Sequence, residues 1–474
     1  MGVSVWELHP LLNSGFCKLS LLLYRTLPCV IYSDGVVALE NSTLLLARAG
    51  YDAWVSLPAP VTTSAETDVL IIGGGAAGFF AAITCAEHNP ALRVTVLERS
   101  AQPLAKVRIS GGGRCNVTYD QLEPAQLVRN YPRGTRALRG PLTRFGPRET
   151  VAWFAARGVA LKTEADGRMF PVSNRSETIV NCLLDAASAA GVELLTRSAV
   201  RAVGSADGRF VVTLGGGELT ARKLLLATGG SPQAHTWAAA LGHTLEAPVP
   251  SLFTFNVQDT RLTGLAGVSV DDVRLSLAGT KLGQRGPLLV THWGVSGPAV
   301  LKLSAWGARE LHSRGYHAPL LIDWLPEKHP EALRHTLNCF KHTEARKTVT
   351  TANPVGLPKR LWEALVGACG LAERWADVSK TQLNTLIDEL KCGRFEVGGK
   401  GVFKEEFVTC GGVRLDEVDF RTLQSRVVPG LYFAGEVLDV DGVTGGFNFQ
   451  NAWATGYLAG LALAQGAVTD AEHV

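Results

Sequence analysis

Three glycines in the order Gly73-x-Gly75-x-x-Gly78 come directly after an apolar run, Asp68 to Ile72. That spacing allows a tight turn, close approach of the backbone to a pyrophosphate, and close packing of a helix on a strand. Ala76 and Ala77 open the helix, whose N-terminal N–H groups then face the phosphates. An alanine-rich stretch runs to Glu87 and stops near Asn89-Pro90, and Arg93 to Leu97 reads as a second strand. Glu98 ends that strand, where an acid accepts the hydroxyls of an adenosine ribose. A glycine pattern alone is weak evidence. The strand before it, the helix after it and the spaced acid make this a dinucleotide site rather than an ordinary glycine turn.

The same unit serves NAD and FAD, because both present an adenosine and a pyrophosphate to it. The C-terminal region separates them. Leu431 to Ala434 reads as a strand running into Gly435-Glu436, followed by Gly445-Gly446-Phe447-Asn448-Phe449-Gln450 and a helix to about Gln465. A flavin reaching beyond the pyrophosphate needs a second, sequence-distant support, and a helix N-terminus there stabilises negative charge on a reduced ring. Nicotinamide needs no such support. Ala452, Gly456 and Gly460 give that helix one face of small residues, open to a cofactor or to a neighbouring helix.

The stretch from Lys106 to Asn116 is the most unusual in the chain. Gly111, Gly112 and Gly113 expose backbone N–H groups, and Lys106, Ser110, Arg114 and Asn116 flank them with donors suited to phosphate or to flavin carbonyls. It is not a Walker A loop, since no Lys-Ser or Lys-Thr follows the last glycine. Cys115 belongs to the same cofactor segment and is also a weak catalytic candidate as a redox thiol. It lacks an adjacent resolving cysteine, which favours a small packed residue.

These motifs must be held by elements spread over most of 474 residues, 46% of them hydrophobic, enough for two or three domains. Strands are expected at Ala199 to Val203, Arg209 to Leu214 and Lys223 to Ala227, the last ending in Thr228-Gly229-Gly230. Val200, Thr228 and Gly229 complete the expected cofactor set. Strands persist through Phe253 to Val257 and Val268 to Leu277, then helices at Lys359 to Gly367 and Thr381 to Leu390. Strand patterns return at Phe407 to Val413. This is an α/β chain: a Rossmann-like nucleotide domain interrupted by an insert of roughly 130 residues.

A formal charge of +3 gives no global field toward nucleic acid or an acidic membrane. Nine cysteines without a CxxC pair argue against zinc, a metal site or a disulfide framework, and place the chain in a reducing compartment. The run Leu21 to Tyr32 is broken by Arg25 and Pro28 and is too short to span a bilayer, so no membrane span is expected. Residues 1–65 read as an extension, either disordered or a targeting peptide. The chain is then cytoplasmic, or resident in a plastid or mitochondrion if the extension is a transit peptide. Arg133, Arg136, Arg139, Arg144 and Arg148 cluster with Tyr131 and Phe145 between them. An anion- or RNA-docking strip is one reading; a solvated face is favoured by the near-neutral chain, which makes nucleic acid a disfavoured partner.

From about Thr67 onward the chain resembles the BaiN/YhiN-like flavoproteins. The motifs that carry this are GGGAAG at Gly73, ISGGGRCNVT at Ile109, GRMFPVS at Gly167, THWGVSGPAV at Thr291, VTCGGV at Val408 and PGLYFAGEVLDVDGVTGGFNFQNAW at Pro429. The resemblance implies an FAD domain of the two-dinucleotide-binding type with an inserted small β-barrel and a helical subdomain. The expected boundaries are 66–255 and 406–474 for the FAD domain, 256–325 for the barrel, 326–390 for the helices and 391–405 for a return through the barrel. It also implies an NAD(P)/FAD-dependent oxidoreductase, with enone reduction or amine oxidation in some members. Ser231 to His235 is shorter than the usual glycine-rich stretch near the flavin, so substrate preference does not carry over. His292, in the insert, is a weak catalytic candidate set against a structural histidine.

The expected activity is hydride transfer through FAD between a small organic substrate and either NAD(P)H or oxygen. No second glycine fingerprint occurs in a strand-turn-helix context, so NAD(P)H, if used, docks transiently. The rivals are an RNA-associated flavoprotein and a flavin-based redox sensor.

Overall fold

The computed structural model describes residues 29–32, 35–40, 43–48, 51–56, 65–371, 373–401 and 408–465. Residues 1–28 and 57–64 of the expected extension, and 402–407 of the expected return segment, lie outside them.

The central sheet is built around Ala65–Ile72. Val94–Leu97 and then Glu193–Leu195 flank it on one side, and Glu218–Leu226 and Leu431–Phe433 on the other, all parallel. Two short antiparallel strands, Gln424–Ser425 and Val418–Asp419, extend the far edge. A hairpin, Ala202–Ala206 with Arg209–Thr213, adds to Glu218–Leu226. The central strands are continuous apolar runs because both faces are covered: Val69, Leu70, Ile71, Leu224, Leu225 and Leu226 are all fully buried.

The helix Ala76–His88 lies against the sheet, and the closing helix Phe447–Ala464 lies against that helix. Glycine makes their close approach feasible. A Cβ at Gly456 would stand 2.6 Å from the Ala77 carbonyl oxygen, and one at Gly460 2.6 Å from that of Ala81. Phe80 meets Phe145, Trp153 and Trp453 at ring-centroid distances of 5.4, 4.4 and 5.1 Å beside this contact.

The insert is a closed six-stranded barrel in the order Phe255–Val257, Gly294–Ser296, Gly283–Thr291, Ser269–Leu277, His317–Asp323 and Gly393–Lys400. Helices Pro330–Thr343, Lys359–Ala368 and Lys380–Cys392 pack beside it around buried Trp362 and Trp375. Leu245–Ser251 pairs antiparallel with Val408–Val413 where the chain leaves and re-enters the first domain.

Two readings of the sequence change. Before residue 65 the backbone forms a four-stranded antiparallel meander, Cys29–Tyr32, Gly35–Glu40, Thr43–Arg48 and Tyr51–Ser56, where no strand is expected. Its strands are only four to six residues long and are joined by two-residue connections, so no long period marks them. The arginine cluster is also not one solvated face. Arg133 turns inward to Asp441, which is fully buried, while Tyr131 and Phe145 are core residues.

Candidate flavin site

The C-terminal ends of the four central parallel strands meet at one edge of the sheet, running into Gly73, Glu98, Thr228-Gly229 and Gly435-Glu436 respectively. This is where open α/β sheets bind ligands. The glycines of the first turn divide the work. A Cβ at Gly73, where φ is +116°, would lie 2.4 Å from the Ala227 carbonyl oxygen, and one at Gly78 would lie 2.0 Å from that of Gly73. Those two are glycine for packing. Gly75 differs, because a Cβ there meets nothing within 4 Å. Ala77 packs beneath Gly435, whose own Cβ would stand 3.1 Å from it. The Glu98 carboxylate accepts from the Gly74 N–H at 3.0 Å and from the Ser100 N–H and hydroxyl at 2.8 and 2.7 Å. It is thereby held beside the glycine turn.

The triple glycine breaks its helix, with Gly111, Gly112 and Gly113 at φ of +58°, +69° and +81°. Gly112 and Gly113 face open space as Gly75 does. Ser110 caps locally, its hydroxyl donating to the Val107 carbonyl. Arg114 pairs with Glu164 at 2.6 Å and lies 4.0 Å over the Phe170 ring. Cys115 is fully buried, and burial pushes its thiol up to about 12, so the thiolate is not available at neutral pH.

Asn116 joins this loop to the closing helix, its side-chain oxygen accepting from the Gly446 N–H at 3.0 Å and its nitrogen donating to the Thr118 carbonyl at 3.1 Å. Gly445 and Gly446 make the turn into that helix at φ of +131° and +88°. The amides of Asn448 and Gln450 act within the protein. Asn448 bonds both backbone groups of Gly442, and buried Gln450 accepts from Thr118 and Thr150 and donates to the Phe145 carbonyl. Their effect is to fix the turn and the helix start.

Lys106 and Glu436 pair at 2.7 Å beside Gly229, with Glu436 also accepting from the Thr409 N–H at 2.8 Å. A cation is thus held at the end of the central strands. Thr228 stays local and Val200 is buried, its carbonyl accepting from Gln233. His292 is in the turn between two barrel strands, exposed, at the edge of a cavity. Thr409, Glu164 and Phe170 are absent from the sequence-based set, although Thr409 and Phe170 fall inside the VTCGGV and GRMFPVS motifs.

The family described as HI0933-like protein Rossmann domain matches residues 67–462. The chain belongs to the HI0933-like family. It is an FAD-dependent oxidoreductase, and the chemistry of its site suits that cofactor: open glycine backbone for the pyrophosphate, an acid for the adenosine, and a sequence-distant helix start joined to the second glycine loop. Similar proteins include "3-dehydro-bile acid delta(4,6)-reductase" of Clostridium scindens, 30% identical over 83% of this chain and 98% of the relative. "Ribosomal RNA dihydrouridine synthase" of Escherichia coli is 33% identical over 82% of this chain and 96% of the relative. Among solved structures, 3-ketosteroid-delta4-(5alpha)-dehydrogenase from Rhodococcus jostii RHA1 aligns with a TM-score of 0.47 at 17% identity, over 86% of this chain and 98% of that one. Among the described residues of this HI0933-like chain, no helix is long and apolar enough to cross a membrane, and no cluster of metal ligands occurs.

Proposed function

We propose that this HI0933-like protein reduces a carbon–carbon double bond conjugated to a carbonyl, with NAD(P)H as a transiently docking donor. Bound FAD supplies the chemistry by accepting a hydride from the donor and passing it on. The observation that carries the reading is the open glycine cradle at Gly75, Gly112 and Gly113, tied through Asn116 to the N-terminus of the closing helix. Lys106, oriented by Glu436, adds positive charge at the strand ends, suited to a phosphate or to a developing oxyanion. A carbonyl-conjugated double bond takes a hydride at its far carbon and a proton at the near one.

The relatives' names support this class: one is a reductase of bile acids and the other makes dihydrouridine, a uridine with its ring double bond saturated. A uracil base in ribosomal RNA is therefore the second substrate reading beside a small cyclic enone. The arginine stretch gives RNA no added support, because Arg133 is paired inward and Tyr131 and Phe145 are buried away from any base. Anaerobically reduced enzyme mixed with a cyclic enone, and separately with ribosomal RNA lacking dihydrouridine, tests both. Reoxidation of the flavin with a product gaining two hydrogens is expected from one of them. Reoxidation by oxygen alone, with neither acceptor consumed, would sink the reading.

A further inference from the structure

A cavity of about 790 Å³ opens on the barrel and is lined by loop residues between 258 and 266 and by residues 291–294. One wall is a cross-strand row. Thr291 pairs with Gly294, Gly294 with Asn256, and Asn256 with Gly399. Phe255, Val257, Val290 and Val295 are buried inside the barrel, so the alternating residues Thr291, Gly294 and Asn256 face outward. Directly opposed residues share a face. Thr291 and Asn256 therefore stand on either side of a position without a side chain, about 10 Å apart between Cα atoms from the strand spacing.

That gap is enforced. A Cβ at Gly294, where φ is +148°, would stand 2.3 Å from the Phe255 carbonyl oxygen. Gly399 leaves the other side of Asn256 clear as well. The Asn256 amide nitrogen donates to the Lys400 carbonyl at 3.1 Å, which fixes Oδ1 as an acceptor. Oδ1 of Asn256 and Oγ1 of Thr291 are both cut off from solvent and have no hydrogen-bond partner. Buried polar atoms are seldom left so, and two of them on neighbouring sides of one glycine call for a ligand. A small turn of the Thr291 side chain brings its hydroxyl to the cavity.

We propose that this cavity binds a planar heterocycle by an amide edge, an N–H beside a carbonyl. The N–H donates to Asn256 Oδ1, and the carbonyl accepts from the Thr291 hydroxyl. Both a uracil ring and the carboxamide of nicotinamide carry that edge. The inference deepens the reductase reading and rests on it for the identity of the ligand as a reactant. Calorimetric titration of the oxidised, FAD-loaded protein tests it, with uridine 5′-monophosphate in one arm, NADP+ in a second and cytidine 5′-monophosphate as control. Binding in either of the first two arms is expected, and which arm responds identifies the source. In that arm Thr291→Val and Asn256→Leu each weaken binding about tenfold or more, the size of one lost hydrogen bond to a buried partner. Thr291→Ser keeps it. Cytidine 5′-monophosphate, lacking the N–H, binds at least about tenfold more weakly than the uridine compound if uracil is the ligand. Unchanged melting temperature and flavin spectrum show that the variants are folded. Absence of binding in both arms, or variants that bind as tightly as the parent, would overturn the proposal. The reductase reading is judged separately, by reoxidation of reduced enzyme with an enone, so the two failures are distinguishable.

Discussion

At the residue scale the site is a set of glycines with different reasons for being glycine, and that difference is testable. Gly75→Ala places its methyl in open space, so the cofactor-free fold should change by about 1 kcal/mol or less. The same methyl stands where a pyrophosphate approaches the backbone, and FAD affinity should fall at least about tenfold. Gly78→Ala is the contrast, because its methyl meets backbone at 2.0 Å and the variant should fail to fold stably. Fluorescence titration of FAD together with thermal melting separates the two; equal FAD affinity in Gly75→Ala and the parent protein would remove the cradle. Glu98→Gln keeps the shape but loses the charged acceptor beside Gly74, and should weaken FAD binding roughly 10- to 150-fold by the same titration. The glycine turn and Glu98 are legible in the sequence because a strand, a turn and an acid lie within thirty or so residues. The meeting of Lys106, Thr409 and Glu436 is not, since it is made by three segments that only the folded sheet brings together.

At the scale of elements, the pyrophosphate helix and the closing helix approach through Gly456 and Gly460. The small-residue face is visible in the sequence, but its partner is not, and it serves helix packing on Ala77 and Ala81. Gly460→Val should therefore destabilise the protein by about 1–3 kcal/mol or more, from overpacking against backbone. Because that contact aligns both halves of the cofactor site, FAD binding should fall with it. Urea unfolding and FAD titration of the same variant check the coupling; a loss of stability with full FAD affinity would show that the two helices need not be in register. The barrel was the harder element to read, since nothing in its short strands specifies closure, and strand Gly283–Thr291 is interrupted by Gly286 and Pro287.

At the scale of the whole molecule, buried charge ties the first domain to its insert. Arg133 pairs with Asp441, 308 residues away, and also donates to the Ala305 carbonyl beside the barrel. That separation is why an arginine-rich stretch reads as surface when one of its members is a strut. Burial pushes the Asp441 carboxyl up, against the pull of Arg133, so removing the arginine leaves a desolvated acid. Arg133→Met should cost about 3–5 kcal/mol in chemical denaturation, and a change below about 1 kcal/mol would contradict the strut.

Two buried histidines set a pH dependence. Burial pulls His235 and His243 below their ordinary value of 6.5, so the unfolded chain takes up protons that the folded one resists. Their contribution to stability is full above that value and is lost as pH falls below it. Denaturation midpoints at pH 7.5 and 5.5 should differ in that direction, and the double variant His235→Gln with His243→Gln should flatten the difference. An equal slope in the double variant would assign it to other groups.

All of these expectations rest on a flavin that the protein binds and reduces. The visible spectrum of the purified chain, reconstituted with FAD and then mixed anaerobically with NADH and with NADPH, tests that most directly. The account predicts a bound-flavin spectrum that one of the two nucleotides bleaches. No flavin spectrum after reconstitution, or a bound flavin that neither nucleotide bleaches, would contradict it.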